Sequence, residues 1–114
     1  MPHVLVEYSA PLEETHDIAG LFAHLFQAVK DTGVFPNPAA IKVRGVQSHH
    51  CVLGSEIQSL VHVTLRVMPG RDDETKASVT KAVLAALEEK LPDVGSLSVD
   101  IFDLEPATYA KRTI

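Results

Sequence analysis

A strand–helix–strand pattern occurs twice along the chain, and this internal repeat restricts the possible folds more than any other feature. The first unit opens at Pro2 and the second at Leu60. Within each unit a right-handed crossover through the helix makes the two strands parallel. Together the units predict an α+β (α/β two-layer) fold, in which one four-stranded mixed sheet carries both helices on one face.

Hydrophobic periodicity predicts where these elements lie. Strands are predicted over residues 3–9, from about 40, over 60–68 and over 97–104. Helices are predicted over 13–31 and from Asp72 or Asp73 to about 91, because each segment has an apolar stripe at i, i+3, i+4 spacing. A bulge is expected at Gly45, and 47–55 is expected to end the second strand with a hairpin turn at Gly54-Ser55.

The predicted strands also indicate which residues share a face of the sheet. Lys42 and Arg44 alternate with apolar residues, so both cations are expected to project from one face. The high apolar content of the strands predicts that the face opposite the helices is poorly suited to water. A face of that kind usually marks an assembly surface, and an oligomer is therefore expected.

Length and composition exclude several classes of protein. A chain of 114 residues is expected to form a single domain, 1–114, with one modest core. No apolar run approaches the ~20 residues that cross a bilayer, and the N-terminus lacks the pattern of a signal peptide. We therefore expect a cytoplasmic protein without a membrane partner. The net charge of −5 argues against a nucleic-acid partner.

Metal and disulfide chemistry find little support in the sequence. Cys51 is the single cysteine, so no intramolecular disulfide can form. His49 and His50 precede it directly, but neighbouring residues on a strand point to opposite faces and cannot all bind one metal. No metal site and no cofactor are predicted, and the role of these three residues stays open.

Pro2 is the first candidate for catalysis. A small second residue usually allows the initiator methionine to be removed, which would leave Pro2 with a free secondary amine. A terminal amine has a pKa of roughly 8, and desolvation lowers that pKa, so the amine could accept a proton at neutral pH. The alternative is that Pro2 only starts the strand.

Three cations are candidates for binding an acidic substrate. Lys42 and Arg44 share a strand face, and Arg71 follows the third strand at the mouth of the second helix. Arginine is well suited to hold a carboxylate by two parallel hydrogen bonds. The alternative for Arg71 is that it solvates a turn.

An ordered set of motifs resembles the tautomerase superfamily, and within it the 5-carboxymethyl-2-hydroxymuconate Δ-isomerases. The set spans nearly the whole chain. Its members are Pro2-His3 with the following strand, Gly20-Leu21-Phe22-Ala23, Thr32-Gly33-Val34-Phe35-Pro36, Val61-His62-Val63-Thr64-Leu65-Arg66, Gly70-Arg71 and Leu104-Glu105-Pro106-Ala107-Thr108.

This resemblance implies a homotrimer that uses no cofactor or metal. It implies that the mature N-terminal proline, Pro2 here, acts as general base and then acid while a proton moves along a conjugated enol or oxo-acid. The implied reaction shifts 5-carboxymethyl-2-hydroxymuconate to its 2-oxo isomer during breakdown of homoprotocatechuate. Arg71, Arg44 and Lys42 are then expected to bind the substrate's carboxylates and its developing negative charge.

The chain also departs from the pattern that it resembles. Lys42 stands where the isomerases have arginine, the loop at Asn37-Pro38 holds one extra residue, and 47–55 matches poorly. Another proline-dependent oxo-acid tautomerase, decarboxylase or hydratase is therefore an alternative. A non-catalytic trimeric binding protein is a third reading if Met1 is retained, because Pro2 would then hold a tertiary amide.

Overall fold

The computed structural model describes all residues, Met1–Ile114, and confirms the predicted order of the two units. The strands are β1 His3–Ser9, β2 Lys42–Ser48, β3 Leu60–Val67 and β4 Ser96–Asp103. They form one sheet in the order β2-β1-β3-β4. The pairs β1/β2 and β3/β4 are parallel and the central pair β1/β3 is antiparallel, so the sheet is mixed as predicted.

Three helices accompany the sheet, because the first predicted helix is divided into two. They are α1 Leu12–Thr15, α2 Ile18–Asp31 and α3 Asp73–Lys90. The division occurs at His16, which has an extended backbone. Asp17 then starts α2, since its side chain accepts the Gly20 N–H at 2.9 Å. Aspartate at this position satisfies a free N–H of the first turn and therefore favours a new helix start.

The core lies between the sheet and the two long helices. Nineteen buried apolar residues form it, including Val4 and Val6 of β1 and Leu25 of α2. The alternation on β3 is confirmed, because Val61, Val63, Leu65 and Val67 are all fully buried. None of the helices combines the length and the apolar character needed to cross a bilayer.

The expected bulge at Gly45 is wrong, because β1 and β2 pair without interruption and Val6 lies opposite Gly45. The glycine instead permits a close approach to the aromatic ring of Phe22. A Cβ added at Gly45 would lie 2.8 Å from Cε2 of Phe22 and 3.1 Å from Cε1 of Tyr8. A side chain at this position would therefore overlap the packing of α2 on the sheet.

The expected hairpin within 47–55 is also wrong. β1 lies between β2 and β3 in the sheet, so the segment after Ser48 connects two strands that are not neighbours. This outcome follows from the parallel pairing of β1 with β2. The chain must leave the edge strand and cross to the far side of β1 before β3 can begin.

The face of the sheet opposite the helices, which we term the open face, is polar rather than apolar as expected. The pairing places Lys42, His3 and Arg66 side by side in one row on this face. The Leu and Val residues of the strands mostly point to the helices, which accounts for the wrong expectation. Val46 and Phe102 are the large apolar side chains exposed here, each at 51%.

Candidate active site

The N-terminus lies at the end of β1, where it is held against the start of β2. The Met1 amine donates a hydrogen bond to the carbonyl oxygen of Ala40 at 2.9 Å. The Pro2 carbonyl accepts the backbone N–H of Lys42 at 3.0 Å. Pro2 itself is buried and Met1 is half-buried. Pairing of β1 with β2 therefore fixes the position of the Pro2 nitrogen.

A proline-containing turn sets the position of the Ala40 carbonyl. Residues Pro38–Ala40 form a single 3₁₀ turn, and the Asn37 side chain accepts the Ala39 N–H at 3.2 Å. Asparagine is favoured at such a position because its side chain replaces a missing backbone partner. The turn directs the Ala40 carbonyl at two cations, since Lys42 Nζ also donates to it at 3.2 Å.

The surroundings of the Met1 amine favour its neutral, basic form. Burial is the largest effect that lowers the pKa of this amine below its ordinary value of 8.0, and the charges of Lys42, Lys111 and Arg71 lower the pKa further. Both effects act on the charged form, which loses hydration and is repelled by the like charges. An amine at this end of β1 is therefore able to accept a proton near neutral pH.

Arg71 is held between the end of β3 and the loop that follows α2. Its Nη1 donates to the Met68 carbonyl at 3.1 Å and its Nη2 to the Val34 carbonyl at 3.4 Å. The guanidinium also lies over the ring of Phe35, 4.7 Å from the centroid. These contacts fix the planar group in one orientation, and its remaining N–H groups can bind a carboxylate.

A row of hydrogen bonds connects the open face to the N-terminus. His3 Nδ1 lies 3.2 Å from Arg44 Nη1, and His3 Nε2 lies 2.9 Å from the Tyr109 hydroxyl. The Tyr109 hydroxyl in turn donates to Met1 Sδ at 3.3 Å. Burial and then the charge of Arg44 are the leading causes that lower the pKa of His3 below 6.5.

A cleft of about 300 Å³ opens beside this row on the open face. It is lined by strands β1, β2 and β3 and by the segment after β4, residues 104–114, which we term the tail. Its cations are Arg44 and Arg66. Two guanidinium groups at one cleft give a chain of net negative charge a local positive surface. The cleft is therefore suited to an anionic ligand.

The residues selected from the sequence fall into two groups. Pro2, Lys42 and Arg71 lie around the N-terminus, where the two cations act on the Met1 amine. Arg44 projects from the same face as Lys42, as predicted, but it lies in the cleft against His3. Their roles in catalysis and binding are predictions that this arrangement leaves to experiment.

Sequence reasoning missed His3, Tyr109 and Lys111. From the sequence His3 was assigned no role beyond its place in the first strand, and Tyr109 and Lys111 lie in a tail without hydrophobic periodicity. The tail reaches the N-terminus because Pro106–Thr108 forms a 3₁₀ turn, in which Glu105 accepts the Ala107 N–H at 3.3 Å. The Glu105-Pro106 pair was the signal that could have indicated a turn.

The histidines near Cys51 form no metal site. His49, His50 and Cys51 are exposed beyond the end of β2, and Cys51 Sγ lies 3.8 Å from the Ser9 hydroxyl. No group of three or more His, Cys, Asp or Glu side chains is arranged to hold a metal ion. Their role stays unassigned.

A family profile, a protein sequence and a crystal structure that resemble this chain all point to one family of isomerases. The profile of the family described as 5-carboxymethyl-2-hydroxymuconate isomerase matches residues 2–113. The 5-carboxymethyl-2-hydroxymuconate Delta-isomerase of Escherichia coli is 31% identical over 120 residues, which cover 98% of this chain and 94% of that protein. The crystal structure of a 5-carboxymethyl-2-hydroxymuconate isomerase from Deinococcus radiodurans R1 has a TM-score of 0.83 at 25% identity, with 99% and 90% of the two chains covered.

A more distant likeness concerns the fold alone. A fused 4-OT wild-type symmetric trimer has a TM-score of 0.67 at 16% identity, with 96% of this chain and 93% of that chain covered. At this identity the match shows a shared arrangement of strands and helices, and it carries no information on substrate.

Proposed function

Since this chain belongs to the 5-carboxymethyl-2-hydroxymuconate isomerase family and is an isomerase, we propose that it moves a proton along a conjugated, carboxylated 2-hydroxymuconate-type substrate. In this proposal the base is the nitrogen of Pro2 after removal of Met1. The substrate is that named for the Escherichia coli relative or one of the same chemical class.

The observation that carries the proposal is the environment of the amine at the end of β1. Removal of Met1 would turn the Pro2 nitrogen into a secondary amine, in the neighbourhood where burial, Lys42, Lys111 and Arg71 lower the pKa of the Met1 amine. The same influences would favour a neutral Pro2 amine. A base whose pKa lies near the working pH transfers protons most effectively.

The proposed steps conserve the proton. The Pro2 nitrogen takes the proton of the substrate's enol hydroxyl, and the electron pair of the broken bond spreads over the conjugated system. The charged nitrogen then returns the proton to carbon at the far end of that system, which leaves a 2-oxo acid. Lys42, Arg71 and Arg44 would bind the carboxylates and stabilise the negative charge of the intermediate.

We further propose that three copies assemble, as the likeness of the fold to a symmetric trimer supports. Strands β2 and β4 are the two edges of the sheet, and both are open to pairing in a single chain. Light scattering on purified protein measures the assembly directly. A monomer at micromolar concentration would contradict this part of the proposal.

A second function is favoured in protein that keeps Met1. There the Met1 amine donates to the Ala40 carbonyl, and the Met1 sulfur accepts a hydrogen bond from the Tyr109 hydroxyl. Both polar ends of Met1 therefore have partners in the folded chain. The Pro2 nitrogen would then be an amide without a basic lone pair. The remaining basic amine would be that of Met1, one residue away from the proposed base and bonded to Ala40, so we expect such a protein to bind an anionic ligand without converting it.

Intact mass and activity, measured on the same preparation, test the proposal. We expect Met1 to be absent, and we expect Pro2→Ala to lose about 100-fold or more in kcat, the usual contribution of a general base. Full activity of protein shown to retain Met1, or of Pro2→Ala, would contradict the mechanism. Comparison of a dicarboxylated muconate with the enol of phenylpyruvate separates the named isomerase from a general tautomerase.

A further inference from the structure

The hydrogen bonds around His3 can run in one direction only. The guanidinium of Arg44 donates and cannot accept, so Nδ1 of His3 is the acceptor of the 3.2 Å contact. A neutral imidazole that accepts at Nδ1 carries its proton on Nε2. Nε2 therefore donates to the Tyr109 oxygen at 2.9 Å. Burial, which lowers the pKa of His3, favours this neutral form.

The Tyr109 hydroxyl is thus the last donor in a series of hydrogen bonds that begins at Arg44 and passes through His3. It is directed at Met1 Sδ, 3.3 Å away, and a thioether is a weak acceptor. Hydrogen bonds in series strengthen one another, so the charge of Arg44 increases the donor strength of Tyr109. A strong donor is therefore aimed at a point where the protein offers only a poor partner.

The point occupied by Met1 Sδ is close to the proposed base. The carbonyl carbon of Met1 is bonded to the Pro2 nitrogen, so the position of the sulfur can be reached by a short linear ligand that contacts this nitrogen. Processing that frees Pro2 also removes the sulfur. The Tyr109 hydroxyl would then face the vacated space, next to the cleft that His3, Arg44 and Tyr109 help to line.

We propose that Tyr109 is a catalytic residue, whose hydroxyl donates a hydrogen bond to the substrate oxygen that becomes negatively charged. His3 and, through Nη1, Arg44 are its positioning residues, and the other N–H groups of Arg44 stay free for a substrate carboxylate. This inference rests on the proposed role of Pro2. When the Pro2 nitrogen takes the enol proton, the electron pair stays on that oxygen and the conjugated carbons. A preorganised donor stabilises this charge more than it stabilises the neutral substrate. The ligand class is a linear 2-hydroxy-dienoic or 2-oxo acid.

Tyr109→Phe tests the donor, because it removes the hydroxyl and keeps the ring. Loss of one preorganised donor typically lowers kcat about 100-fold or more, and we expect that loss with KM changed by less than about twofold, since the donor acts in the transition state. Tyr8→Phe is the matched control. The Tyr8 hydroxyl bonds Glu13 at 2.8 Å near the other end of β1, so this variant should keep the kcat of the unmodified protein.

Labelling of the Pro2 amine by an amine-directed electrophile, followed by intact mass, separates the two proposals. If Pro2 labels normally and activity depends on it, an unchanged kcat in Tyr109→Phe, or a rise in KM alone, overturns the role of Tyr109 and leaves that of Pro2. If Pro2→Ala is fully active, the proposed function fails and the role of Tyr109 fails with it.

Substitutions of His3 test the positioning residues. Glutamine can accept from Arg44 and donate to Tyr109, whereas leucine can do neither. We therefore expect His3→Gln to keep most of kcat and His3→Leu to lose about tenfold or more. The double variant His3→Leu/Tyr109→Phe should be no slower than Tyr109→Phe alone, because both changes act through one hydroxyl. If the losses of kcat in the two single variants add up in the double variant, His3 does not act through the Tyr109 hydroxyl.

Discussion

The Met1 amine and the Lys42 side chain donate to the same carbonyl oxygen, that of Ala40, at 2.9 and 3.2 Å. Two cationic groups therefore share one acceptor, and the charge of Lys42 is one cause of the lowered pKa of the amine. After burial, Lys42 is therefore the leading influence on the protonation of the N-terminal amine.

Lys42→Met should move the acid limb of the kcat/KM profile to higher pH. Removal of a like charge makes protonation of the amine easier, so its pKa rises and less of it is neutral at pH 7. The measurement is kcat/KM against pH with a monocarboxylated substrate, which limits the effect of lost binding. Lys81→Met, an exposed position on α3, is the control and should leave the limb in place. A limb that stays unchanged in Lys42→Met would refute the coupling.

Arg71→Lys should raise KM for a dicarboxylated substrate by about tenfold or more. Lysine keeps the charge but loses the planar fork and the stacking on Phe35. A charge-assisted hydrogen bond contributes ~1.5–3 kcal/mol, and each 1.4 kcal/mol is a factor of ten. Steady-state kinetics on mono- and dicarboxylated substrates measure the effect. An equal change for both substrates would show that Arg71 supports the loop at Val34 rather than a carboxylate.

Gly45→Ala should lower the free energy of unfolding by about 1 kcal/mol, the low end of the cost of overpacking, because Gly45 is exposed on an edge strand and Phe22 is half-buried. The added methyl group would overlap the ring of Phe22. Gly54→Ala is the matched control, since a Cβ at Gly54 meets nothing within 4 Å. Urea unfolding at fixed protein concentration measures both. Addition of Phe22→Leu to Gly45→Ala should recover part of the loss, and equal stability of the two glycine variants would refute the packing argument.

His3 should make the protein less stable in acid. Its pKa is lowered in the folded protein, so the unfolded chain binds more protons as the pH falls below 6.5. The stabilisation is present above pH 6.5 and is lost as the pH falls through the lowered pKa. Urea midpoints between pH 8 and pH 5 should fall less steeply in His3→Gln. His50→Gln, an exposed position beyond β2, should follow the unsubstituted protein.

The sequence sufficed wherever local periodicity decides the structure. Alternation in β2 correctly placed Lys42 and Arg44 on one face, and the repeated unit predicted the mixed sheet. The polarity of the open face was misjudged although the polar residues of β3 alternate with buried ones. Counting apolar residues in whole strands hid which face they occupy.

The parts that sequence reasoning missed depend on contacts between distant residues. Tyr109 lies 106 positions from His3 along the chain, and no local pattern specifies that they meet. Gly45 was taken for a bulge because the ring that requires it belongs to α2. Asp17 carried a recognisable capping signal, but the helix was predicted to begin at Glu13, ahead of the apolar stripe that starts at Ile18.

Docking of Met1 has a consequence for the order of events during synthesis. In the folded chain the methionine is half-buried, its amine is bonded to Ala40 and its sulfur is covered by Tyr109. An aminopeptidase would reach it most easily on the ribosome, while β2 and the tail are still unmade. If Met1 is removed as proposed, its removal therefore competes in time with folding. Protein expressed faster than the aminopeptidase can act would contain two populations, one without Met1 and one that has folded with Met1 in place.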